Sequence, residues 1–489
     1  MDSLHDIEVL IESGQGLIVL ETEQEARFIE GFRRIATRSS RAYFQWTDTQ
    51  GLERLSEGYS ALPLLKDMNQ LFGQILSTQH KGVYILTDFH HYLEDPTVIR
   101  HLKDIGIKAP HQALILLSRK ISLPEDLKSR GTRFSMPLPA ADELRRMVND
   151  LALAYLNERQ RKLKVSDREI TKRLINALCG LSFDDAERIA RHAIWTDGII
   201  DEQDIYEVTK KKFDLLNHNS ILSLELDYEL LDNVAGLDNL KQWLAVRSSV
   251  FSSQEVPPGF DRPKGMLLLG LQGCGKSLAA KAVAGSWQVP LLRFDFGSLY
   301  NRFYGQSEEN LRDVLDIAEQ MQPCVLWIDE IEKALSANSQ TDDLSKRMLG
   351  TFLTWLSEKK SSVFVVATAN DVSQLPPELM RKGRFDEVFF VDLPTADIRE
   401  KILELHLIAR DCSTRDLDLE SLARLADGFS GAELEQVVVS ALYATLNSER
   451  QMDNELLQST ISSTKPLSVL MGDQVSALRA WAEQRTVLA

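Results

Sequence analysis

A chain of 489 residues is too long for one compact hydrophobic core, so we expect two or three domains. Its 44% hydrophobic and 26% charged residues are typical of a soluble globular protein. Acidic residues outnumber basic residues by 72 to 56, for a net charge of -16. This balance argues against a protein that wraps a nucleic acid backbone, which usually carries an excess of basic residues.

No apolar run approaches the roughly 20 residues that span a bilayer, so we expect no membrane insertion. The acidic start MDSLHDIEVLIES lacks the basic and apolar regions of a signal peptide. We therefore expect a cytoplasmic location, or the plastid stroma if the gene is plastid-encoded. The cysteines show neither metal-ligand nor disulfide spacing, which fits a reducing compartment. They are Cys179, Cys274, Cys324 and Cys412.

The first half of the chain alternates strand signals with helix signals. Short apolar runs predict strands at residues 16–21, 42–46, 82–88 and 113–117, and a helix at 23–37. From residue 141 to about 217 the pattern is helical. Apolar strands separated by helices predict a parallel sheet that is covered on both faces.

The second half repeats this order more clearly. Strands are predicted at residues 265–270, 289–295, 324–330, 362–370 and 387–393, with a helix at 278–287. After Pro394 the strand signals cease, and residues 395–447 read as a small helical subdomain. An amphipathic helix is predicted across 473–484. The chain therefore reads as two related α/β units in tandem, each followed by helices.

A glycine-rich loop lies between the first strand and the first helix of the second half. The sequence GLQGCGKS at 270–277 fits the phosphate-loop pattern G-x-x-x-x-G-K-[ST]. Its backbone amides and the helix N-terminus favour phosphate, Lys276 would reach the β- and γ-phosphates, and Ser277 would help coordinate Mg²⁺. The flanking strand and helix argue against a chance turn. The predicted nucleotide-binding residues here are Gly270, Gly273, Cys274, Gly275, Lys276, Ser277 and Leu278.

An Asp-Glu pair closes the apolar strand that ends near residue 330. Asp329 would hold Mg²⁺ through its water shell, and Glu330 would orient and deprotonate the attacking water. Carboxylates often end strands beside loops, so the pair by itself is weak evidence for a catalytic site. Together with the phosphate loop it predicts ATP hydrolysis.

From about residue 228 to 460 the sequence resembles the AAA ATPases. The opening DNVAGL at 232–237 is similar to the family's adenine-pocket segment, which implies that Asn233 and Ala235 border the base. The resemblance implies that Asn370 is the polar sensor that positions the water beside Glu330. It also implies ATP and Mg²⁺ as cofactors.

Two further segments carry roles that the resemblance implies. LMRKGRFD at 379–386 looks like the arginine-finger segment, in which Arg381 and Arg384 reach the γ-phosphate of a neighbouring subunit. An ordinary surface ion pair is the alternative. DGFSGAE at 427–433 resembles the lid sequence that brings Gly431 and Ala432 near the nucleotide. His406 corresponds to a lid histidine that touches the ribose, although a structural role is equally open for it.

The segment RFYGQSE at 302–308 matches the family's first pore loop, with Phe303, Tyr304 and Gly305 in the aromatic stretch. In family translocases this loop grips an extended polypeptide. The alternative is that both aromatic side chains are buried. We favour the pore interpretation because Arg302 and Gln306 flank them.

The sequence departs from the AAA pattern at several positions. Leu271 and Gln272 stand where two prolines are usual, and Cys274 stands where threonine is usual. Ser357 and Glu358 replace an Asp-Gly pair that links neighbouring sites, which puts coupling between subunits in doubt. The nearest resemblance is to a cyanobacterial and plastid-encoded AAA group known as a conserved hypothetical chloroplast open reading frame. Its support is the roughly 500-residue length and the ending PLSVLM at 466–471.

The first unit lacks a phosphate loop, because ETEQE follows its first strand at 21–25 and three carboxylates there would repel a triphosphate. Asp88 ends a strand as the metal-binding aspartate would, with Phe89 in place of the glutamate. Neighbouring side chains point apart, so His90 and His91 are weak candidates for a metal site. We expect this unit to dock a client or adaptor, or to pack the ring, without hydrolysing ATP.

These observations predict an α/β chain of tandem P-loop-type parallel-sheet units, each followed by a helical lid. Residues 1–217 form a degenerate AAA-like domain with its helical region at 141–217. Residues 218–394 form the large ATPase domain, and residues 395–489 form the helical lid with a C-terminal helix.

The leading function is a ring-shaped motor, a homohexamer, that hydrolyses ATP to remodel or thread a protein client. A nucleotide-dependent switch or scaffold that controls assembly of a partner complex is the alternative, and a nucleic-acid motor is disfavoured. Cys274 adds a redox hypothesis. Lys276 and the helix N-terminus would favour its thiolate, although a passive replacement of threonine is the favoured interpretation.

Overall fold

The computed structural model describes residues 2–22, 24–56, 65–135, 138–217, 221–225, 234–253, 256–300, 307–334, 342–372, 375–381, 383–448 and 452–489. The chain divides into two compact units. The first comprises Met1–Val148 and Leu181–Arg188, and the second comprises Asn149–Gly180 and Ile189–Ala489. The helical region at 141–217 thus contributes residues to both units, and the limits given above for the three domains stay a prediction.

The first unit is built on a six-stranded sheet in the order β3-β2-β4-β5-β1-β6. The strands are parallel except β3, which pairs antiparallel with β2. The elements in chain order are α1 (Asp2–Glu12), β1 (Leu17–Glu21), α2 (Glu25–Ala36), β2 (Ala42–Thr47), β3 (Gly51–Arg54), α3 (Met68–Ser77), β4 (Gly82–Thr87), α4 (Pro96–Lys108), β5 (Ala113–Ser118), α5 (Glu125–Lys128) and β6 (Gly131–Ser135).

Strands β4 and β5 are buried along their whole length, because helices cover both faces of the sheet. Alternate residues enter two separate cores. Leu86 and Leu116 pack in one cluster, and Ile85 and Ile115 pack in the other. This two-sided burial is the reason that these strands read as continuous apolar runs rather than as alternating patterns.

The next segment is mainly helical. It contains α6 (Ala141–Arg159), β7 (Lys164–Val165), α7 (Arg168–Leu178), α8 (Phe183–Asp197), β8 (Ile199–Ile200) and α9 (Glu202–Leu216), with β7 and β8 paired in parallel. Helix α9 begins with a capping box. The Asp201 side chain accepts hydrogen bonds from backbone amides of the first turn, and the Asp204 side chain accepts one from the Asp201 backbone amide. Phe213 of α9 belongs to the core cluster that also holds Leu292 and Leu326. This helix therefore packs on the sheet of the second unit.

The second unit contains a seven-stranded sheet in the order β15-β14-β10-β13-β12-β11-β9. Its elements are β9 (Leu222–Glu225), α10 (Asp238–Ser252), β10 (Gly265–Gly270), α11 (Lys276–Trp287), β11 (Leu291–Phe294), α12 (Gly297–Tyr300), α13 (Ser307–Gln320), β12 (Cys324–Ile328), α14 (Asp342–Glu358), β13 (Val363–Ala369) and β14 (Glu387–Val391). Strand β9 is antiparallel to β11, and the central strands are parallel.

Helices follow β14. They are α15 (Ala396–Ile408), α16 (Leu419–Leu425), α17 (Gly431–Ser448), α18 (Asn454–Ser463), α19 (Leu467–Leu470) and α20 (Gly472–Ala482), and strand β15 (Val487–Leu488) comes after them. The first four share their own core, with Leu403, Leu422, Val438 and Leu457 among its members. The prediction that strands cease after Pro394 is wrong, because β15 pairs in parallel with β14. Two residues are too few to give a readable strand pattern.

The two large sheets share one strand order. In the first unit the parallel strands run β6-β1-β5-β4-β2, and in the second they run β14-β10-β13-β12-β11. Counted along the chain within each unit, both orders place the fifth parallel strand beside the first, and then the fourth, third and second. An antiparallel strand extends each sheet at the same edge. The predicted tandem of P-loop-type units is therefore confirmed.

Within the described parts of the chain, no helix has the length and apolar character that crossing a membrane requires.

Candidate nucleotide site

The phosphate loop joins β10 to α11. Gly275 stands at the N-cap of α11 with φ 91°, and Lys276 is the first helical residue. Lys276 is 7% exposed, and its ammonium donates to the carbonyl oxygens of Gly270 and Leu271 at 2.8 and 2.7 Å. Burial lowers the pKa of this ammonium. Its partners are neutral carbonyls, so an incoming phosphate oxygen would offer it a stronger, charged acceptor.

The next two residues of α11 point outward. Ser277 and Leu278 are both exposed, directly beside the buried Lys276. Apart from its chain neighbours, no described residue has an atom within 4 Å of the position that a Cβ would take on Gly275. Open space therefore surrounds the helix N-terminus, where backbone amides and the helix dipole favour an anion.

The acidic pair follows β12 at the adjoining part of the sheet. Thr368 of β13 links both acids: its hydroxyl donates to Asp329 Oδ1 at 2.8 Å and accepts from the Glu330 amide at 3.1 Å. Glu330 has φ 49°, a left-handed conformation that a side chain normally avoids. The two carboxylates have different partners, because Asp329 accepts from Thr368 and Glu330 accepts from Asn370.

Asn370, the predicted sensor, contacts Glu330, the predicted general base. The Asn370 side-chain amide donates to Glu330 Oε1 at 3.0 Å, and its backbone amide donates to Glu332 Oε1 at 2.8 Å. Lys333 forms an ion pair with Glu330. Burial raises the pKa of Glu332. Asn370 and Glu330 are thus brought together, as their predicted roles require.

Arg293 and Thr368 contact the acidic pair, and the sequence interpretation did not single them out. The Arg293 guanidinium lies 3.2 Å from Asp329 Oδ2, 4.0 Å from Glu225, and 4.8 Å from the ring centre of Trp327. One signal was available for it. Arg293 is a basic residue in an otherwise buried four-residue strand, and such a residue must face a partner or water.

The lid touches the phosphate loop through Gly273. The amide of Ala432 donates to the Gly273 carbonyl oxygen at 3.1 Å. A Cβ on Gly273 would lie 3.0 Å from the Ser430 hydroxyl, and φ there is 81°, so the close approach needs glycine. Glu433 holds this end of α17, because it accepts from the Ser430 amide at 2.8 Å and from the Leu467 amide at 2.7 Å. Gly431 and Ala432 are therefore beside the loop.

These features place a phosphate loop, an acidic pair, a sensor amide and a helical lid around one end of a parallel sheet. Family models match the same segments. The model described as ATPase family associated with various cellular activities (AAA) matches residues 266–393, and the AAA+ lid domain matches 416–459. The SpoVK-like AAA ATPase N-terminal domain matches residues 3–136, and the second domain of that group matches 142–219.

The chain is also similar to curated proteins along nearly its whole length. The uncharacterized AAA domain-containing protein ycf46 of Pyropia yezoensis is 36% identical, with 99% of this chain and 98% of that protein covered. The proteins of that name from Trieres chinensis and Guillardia theta are both 34% identical, with 97% and 99% of this chain covered and 95% of each relative.

The chain belongs to the AAA ATPase family.

Membership in this family implies, in general terms, that the chain binds a nucleotide with Mg²⁺ and has an ATP-driven activity. The residues of this site fit that ligand, because they include a buried ammonium with neutral partners, a helix N-terminus with exposed residues and two carboxylates. When bound, Mg²⁺ would neutralise charge on the phosphate oxygens. Ser277 and Asp329 would hold the ion, and Lys276 would bind the β- and γ-phosphates.

Glu330 is the group that could accept a proton in this AAA protein. Asn370 fixes one of its carboxylate oxygens, and the Thr368 hydroxyl fixes its backbone amide. A carboxylate held in this way can orient a water molecule and take its proton as the water attacks. The individual roles of these residues stay predictions.

Only some of the residues predicted to contact the adenine and the ribose lie in the described parts of the chain. Ala235 is half-buried, and its neighbour Gly236 approaches Ile398 of the first lid helix, where a Cβ would lie 2.9 Å away. His406 is half-buried in that helix, and burial lowers its pKa. Its Nδ1 lies 3.3 Å from Arg410 Nη1. Asn233 lies outside the described residues, as do Phe303, Tyr304 and Gly305 of the predicted pore loop.

The arginine segment follows the 3-10 helix Pro377–Met380. Arg381 is exposed, and Arg384 donates to the carbonyl oxygen of Glu378. Lys264 anchors the segment: its ammonium donates to the Ser357 carbonyl oxygen at 2.6 Å and to the Gly383 carbonyl oxygen at 3.0 Å. Among the described residues, no hydrogen bond or ion pair joins either arginine to the phosphate loop of the same chain.

The expectation that Cys274 favours its thiolate is wrong. Burial raises the pKa of the Cys274 thiol to about 11, which outweighs the opposing influence of the Lys276 ammonium. The side chain packs against the core cluster that contains Leu268 and Val391. A protonated, largely buried thiol is a weak nucleophile, which leaves the redox hypothesis without its chemical basis.

The corresponding loop of the first unit is too short to cradle a phosphate. Residues 22–24 connect β1 with α2, whereas residues 271–275 connect β10 with α11. Glu25 begins α2 where Lys276 begins α11. Burial and the nearby Asp88 raise the pKa of the Glu25 carboxyl. A carboxyl thus replaces the ammonium, which supports the expectation that this unit hydrolyses no ATP.

The alignment of Asp88 with the metal-binding aspartate stays a prediction, because Asp88 and Asp329 both follow their strands directly. Asp88 has φ 54° and Glu330 has φ 49°, and each is followed directly by a 3-10 helix. In backbone conformation Asp88 therefore matches Glu330. An apolar run in the sequence does not show at which residue a strand ends and a left-handed conformation begins.

The two histidines that follow also differ from expectation. The rings of His90 and His91 do not point apart, because their centres are 3.8 Å from each other. A 3-10 helix, rather than a strand, carries them. Among the described residues there is no group of three or more side chains suited to hold a metal ion.

Proposed function

We propose that this protein is a ring-forming AAA motor, a homohexamer, that couples ATP hydrolysis to the remodelling or threading of a protein client. The observation that carries the ring is the position of Arg381 and Arg384. They lie on an anchored, partly exposed segment, with no contact to the phosphate loop of their own chain among the described residues. A neighbouring subunit would bring its γ-phosphate to them, where a guanidinium offsets charge in the transition state.

A hydrogen-bonded link between the end of α14 and the arginine segment supports coupling around the ring. Lys264 joins the Ser357 carbonyl oxygen to the Gly383 carbonyl oxygen. Both acceptors are backbone atoms, so this link does not need the Asp-Gly pair that is usual at 357–358. The client or adaptor would dock on the first unit. We propose the cytoplasm as the location, or the plastid stroma for a plastid-encoded protein.

Mixed rings test this proposal. Arg384→Ala subunits keep a complete phosphate loop, and Lys276→Ala subunits keep the arginines. Each variant alone should be nearly inactive, and mixing them should restore part of the ATPase activity at mixed interfaces, measured by phosphate release. The wild-type rate should also rise with protein concentration as rings assemble. A monomer in sedimentation with full, concentration-independent activity would contradict the ring.

A nucleotide-dependent switch or scaffold is the second candidate, and the unusual Ser357-Glu358 pair favours it. A switch needs ATP binding but no repeated turnover. Glu330→Gln should bind ATP and fail to hydrolyse it, so this variant separates the two functions. If the variant supports the activity of a partner complex as well as the wild type does, the switch is correct and the motor is not.

A further inference from the structure

The C-terminal segment, residues 466–489, is fixed at its beginning to the helical lid. Glu433, near the start of α17, accepts a hydrogen bond from the Leu467 amide at 2.7 Å. The Ser468 hydroxyl donates to the carbonyl oxygen of Gly428 at 2.6 Å. The segment is therefore bound to the part of the lid that contacts the phosphate loop.

The far end of the same segment is fixed to the ATPase sheet. Strand β15 extends the sheet beside β14, and the Ala489 amide donates to a carbonyl oxygen of β14 at 2.9 Å. The side-chain amide of Asn239, in α10, donates to the Leu488 carbonyl oxygen at 3.0 Å. Ala482 of α20 is 2% exposed and belongs to the core cluster of the sheet that also holds Leu326. Helix α20 thus packs on the sheet.

Arg479 of α20 contacts the connection between the sheet and the lid. Asp392 directly follows β14, and residues 393–395 separate it from α15, the first lid helix. The Arg479 Nε lies 2.9 Å from both carboxylate oxygens of Asp392, and its Nη2 lies 2.9 Å from Oδ1. Two nitrogens of one guanidinium on one carboxylate fix direction as well as distance. Arg479 therefore restrains the short connection that leads into the lid.

We propose that the C-terminal segment is a positioning element for the nucleotide, with Arg479 as its central residue. The segment and the connection at 392–395 both join the sheet to the lid, and Arg479 links one to the other. The lid in turn contacts the phosphate loop, where the Ala432 amide donates to the Gly273 carbonyl oxygen. Without the Arg479–Asp392 contact the lid would leave this loop more often, so bound nucleotide would dissociate faster. This inference rests on the nucleotide binding that the proposed function requires.

The test measures how long nucleotide stays bound. The full-length protein is loaded with a fluorescent ADP analogue and Mg²⁺, and release is followed after excess unlabelled ADP is added. Arg479→Met should release the analogue about tenfold faster than the wild type, which is within the usual range of coupling between two sites. Arg485→Met is the matched control and should match the wild type. It removes an exposed guanidinium that stacks on Trp481 of the same segment.

Stability separates positioning from a general packing defect. The side chains of Arg479 and Asp392 are 47% and 27% exposed, and ion pairs that water reaches add little to the free energy of unfolding. Arg479→Met should therefore melt close to the wild-type temperature while it releases nucleotide faster. Exchanging the charges tests the pair itself. Arg479→Asp and Asp392→Arg should each speed release, and the double variant should recover most of the wild-type rate.

Hydrogen exchange on the wild type gives a second measurement that needs no variant to fold. Coupling between two sites is reciprocal, so bound ADP should slow amide exchange in residues 473–489. Unchanged release in Arg479→Met, no recovery in the double variant, or exchange that is indifferent to ADP would overturn this inference and leave the proposed function intact. Failure of the wild type to bind the analogue would contradict the proposed function and this inference with it.

Discussion

Thr368 joins the two acidic residues at the end of β12. It is 1% exposed, and its hydroxyl donates to the carboxylate of Asp329 and accepts from the backbone amide of Glu330. The left-handed turn at Glu330 would otherwise leave that amide unsatisfied in a half-buried position. Thr368 is thus a positioning residue that acts through its two neighbours.

We expect Thr368→Val to lower the turnover number about 10- to 100-fold, as the loss of such outer partners usually does at metal sites. Valine has the same shape but no hydroxyl. Thr368→Ser keeps the hydroxyl and should retain most of the activity, which makes it the matched control. Steady-state phosphate release gives the rate, and titration with a fluorescent ATP analogue should give a similar affinity for all three proteins. Equal losses in the valine and serine variants would show that only packing matters.

Cys274 leads to a prediction of insensitivity. A thiol whose pKa is raised to about 11 by burial holds almost no thiolate at neutral pH, so mild peroxide should not act through it. Wild type and Cys274→Thr should therefore lose the same fraction of ATPase activity after treatment at pH 7.5. Protection that is specific to Cys274→Thr would restore the redox hypothesis.

At the scale of elements, two helix ends meet at Gly180. This residue follows α7 with φ 87°, and a Cβ on it would lie 2.2 Å from the carbonyl oxygen of Gln320, the last residue of α13. Backbone thus packs directly on backbone at this contact. No side chain can move aside to make room.

Gly180→Ala should therefore destabilise the second unit strongly. Gly259 has the same φ of 87°, and among the described parts of the chain no atom beyond its neighbours lies within 4 Å of a Cβ there, so Gly259→Ala measures the backbone strain. We expect the control to cost about 1 kcal/mol and Gly180→Ala to cost roughly 2 kcal/mol more, from strain and forced separation of the helices. The midpoints of urea unfolding provide the measurement. Similar midpoints for the two variants would mean that the helix ends separate easily.

At the scale of the whole molecule, two units with one strand order carry different loops. The second has the phosphate loop with Lys276, and the first has a shorter connection with Glu25 in the corresponding place. A carboxyl at the helix start repels phosphate rather than binding it. Duplication of the sheet therefore does not imply duplication of the site.

Lys276→Ala should abolish ATP binding and hydrolysis by the full chain, because no second phosphate loop can replace it. The companion variant Glu25→Gln removes a charge from the first unit and should leave the turnover number within about twofold of the wild type, since we expect no ATP hydrolysis in that unit. Phosphate release and equilibrium binding measure both variants. Substantial hydrolysis in Lys276→Ala would place an active site in the first unit.

The sequence by itself determined the local chemistry. Gly270 to Ser277 carries a spacing that few other loops share, and buried parallel strands read as apolar runs because both of their faces are covered. These signals are short in range. They were enough for the fold class and the tandem arrangement, whereas the position of Asn370 beside Glu330 was implied by the resemblance to the AAA ATPases.

Only the tertiary structure decided what depends on contacts between distant residues. Thr368 and Arg293 contact Asp329 across neighbouring strands, β15 pairs with β14 from far along the chain, and Asp88 shares the left-handed conformation of Glu330. Burial likewise reversed the expected pKa shift of Cys274. Desolvation and strand register are properties of the packed chain, and a linear pattern contains neither of them.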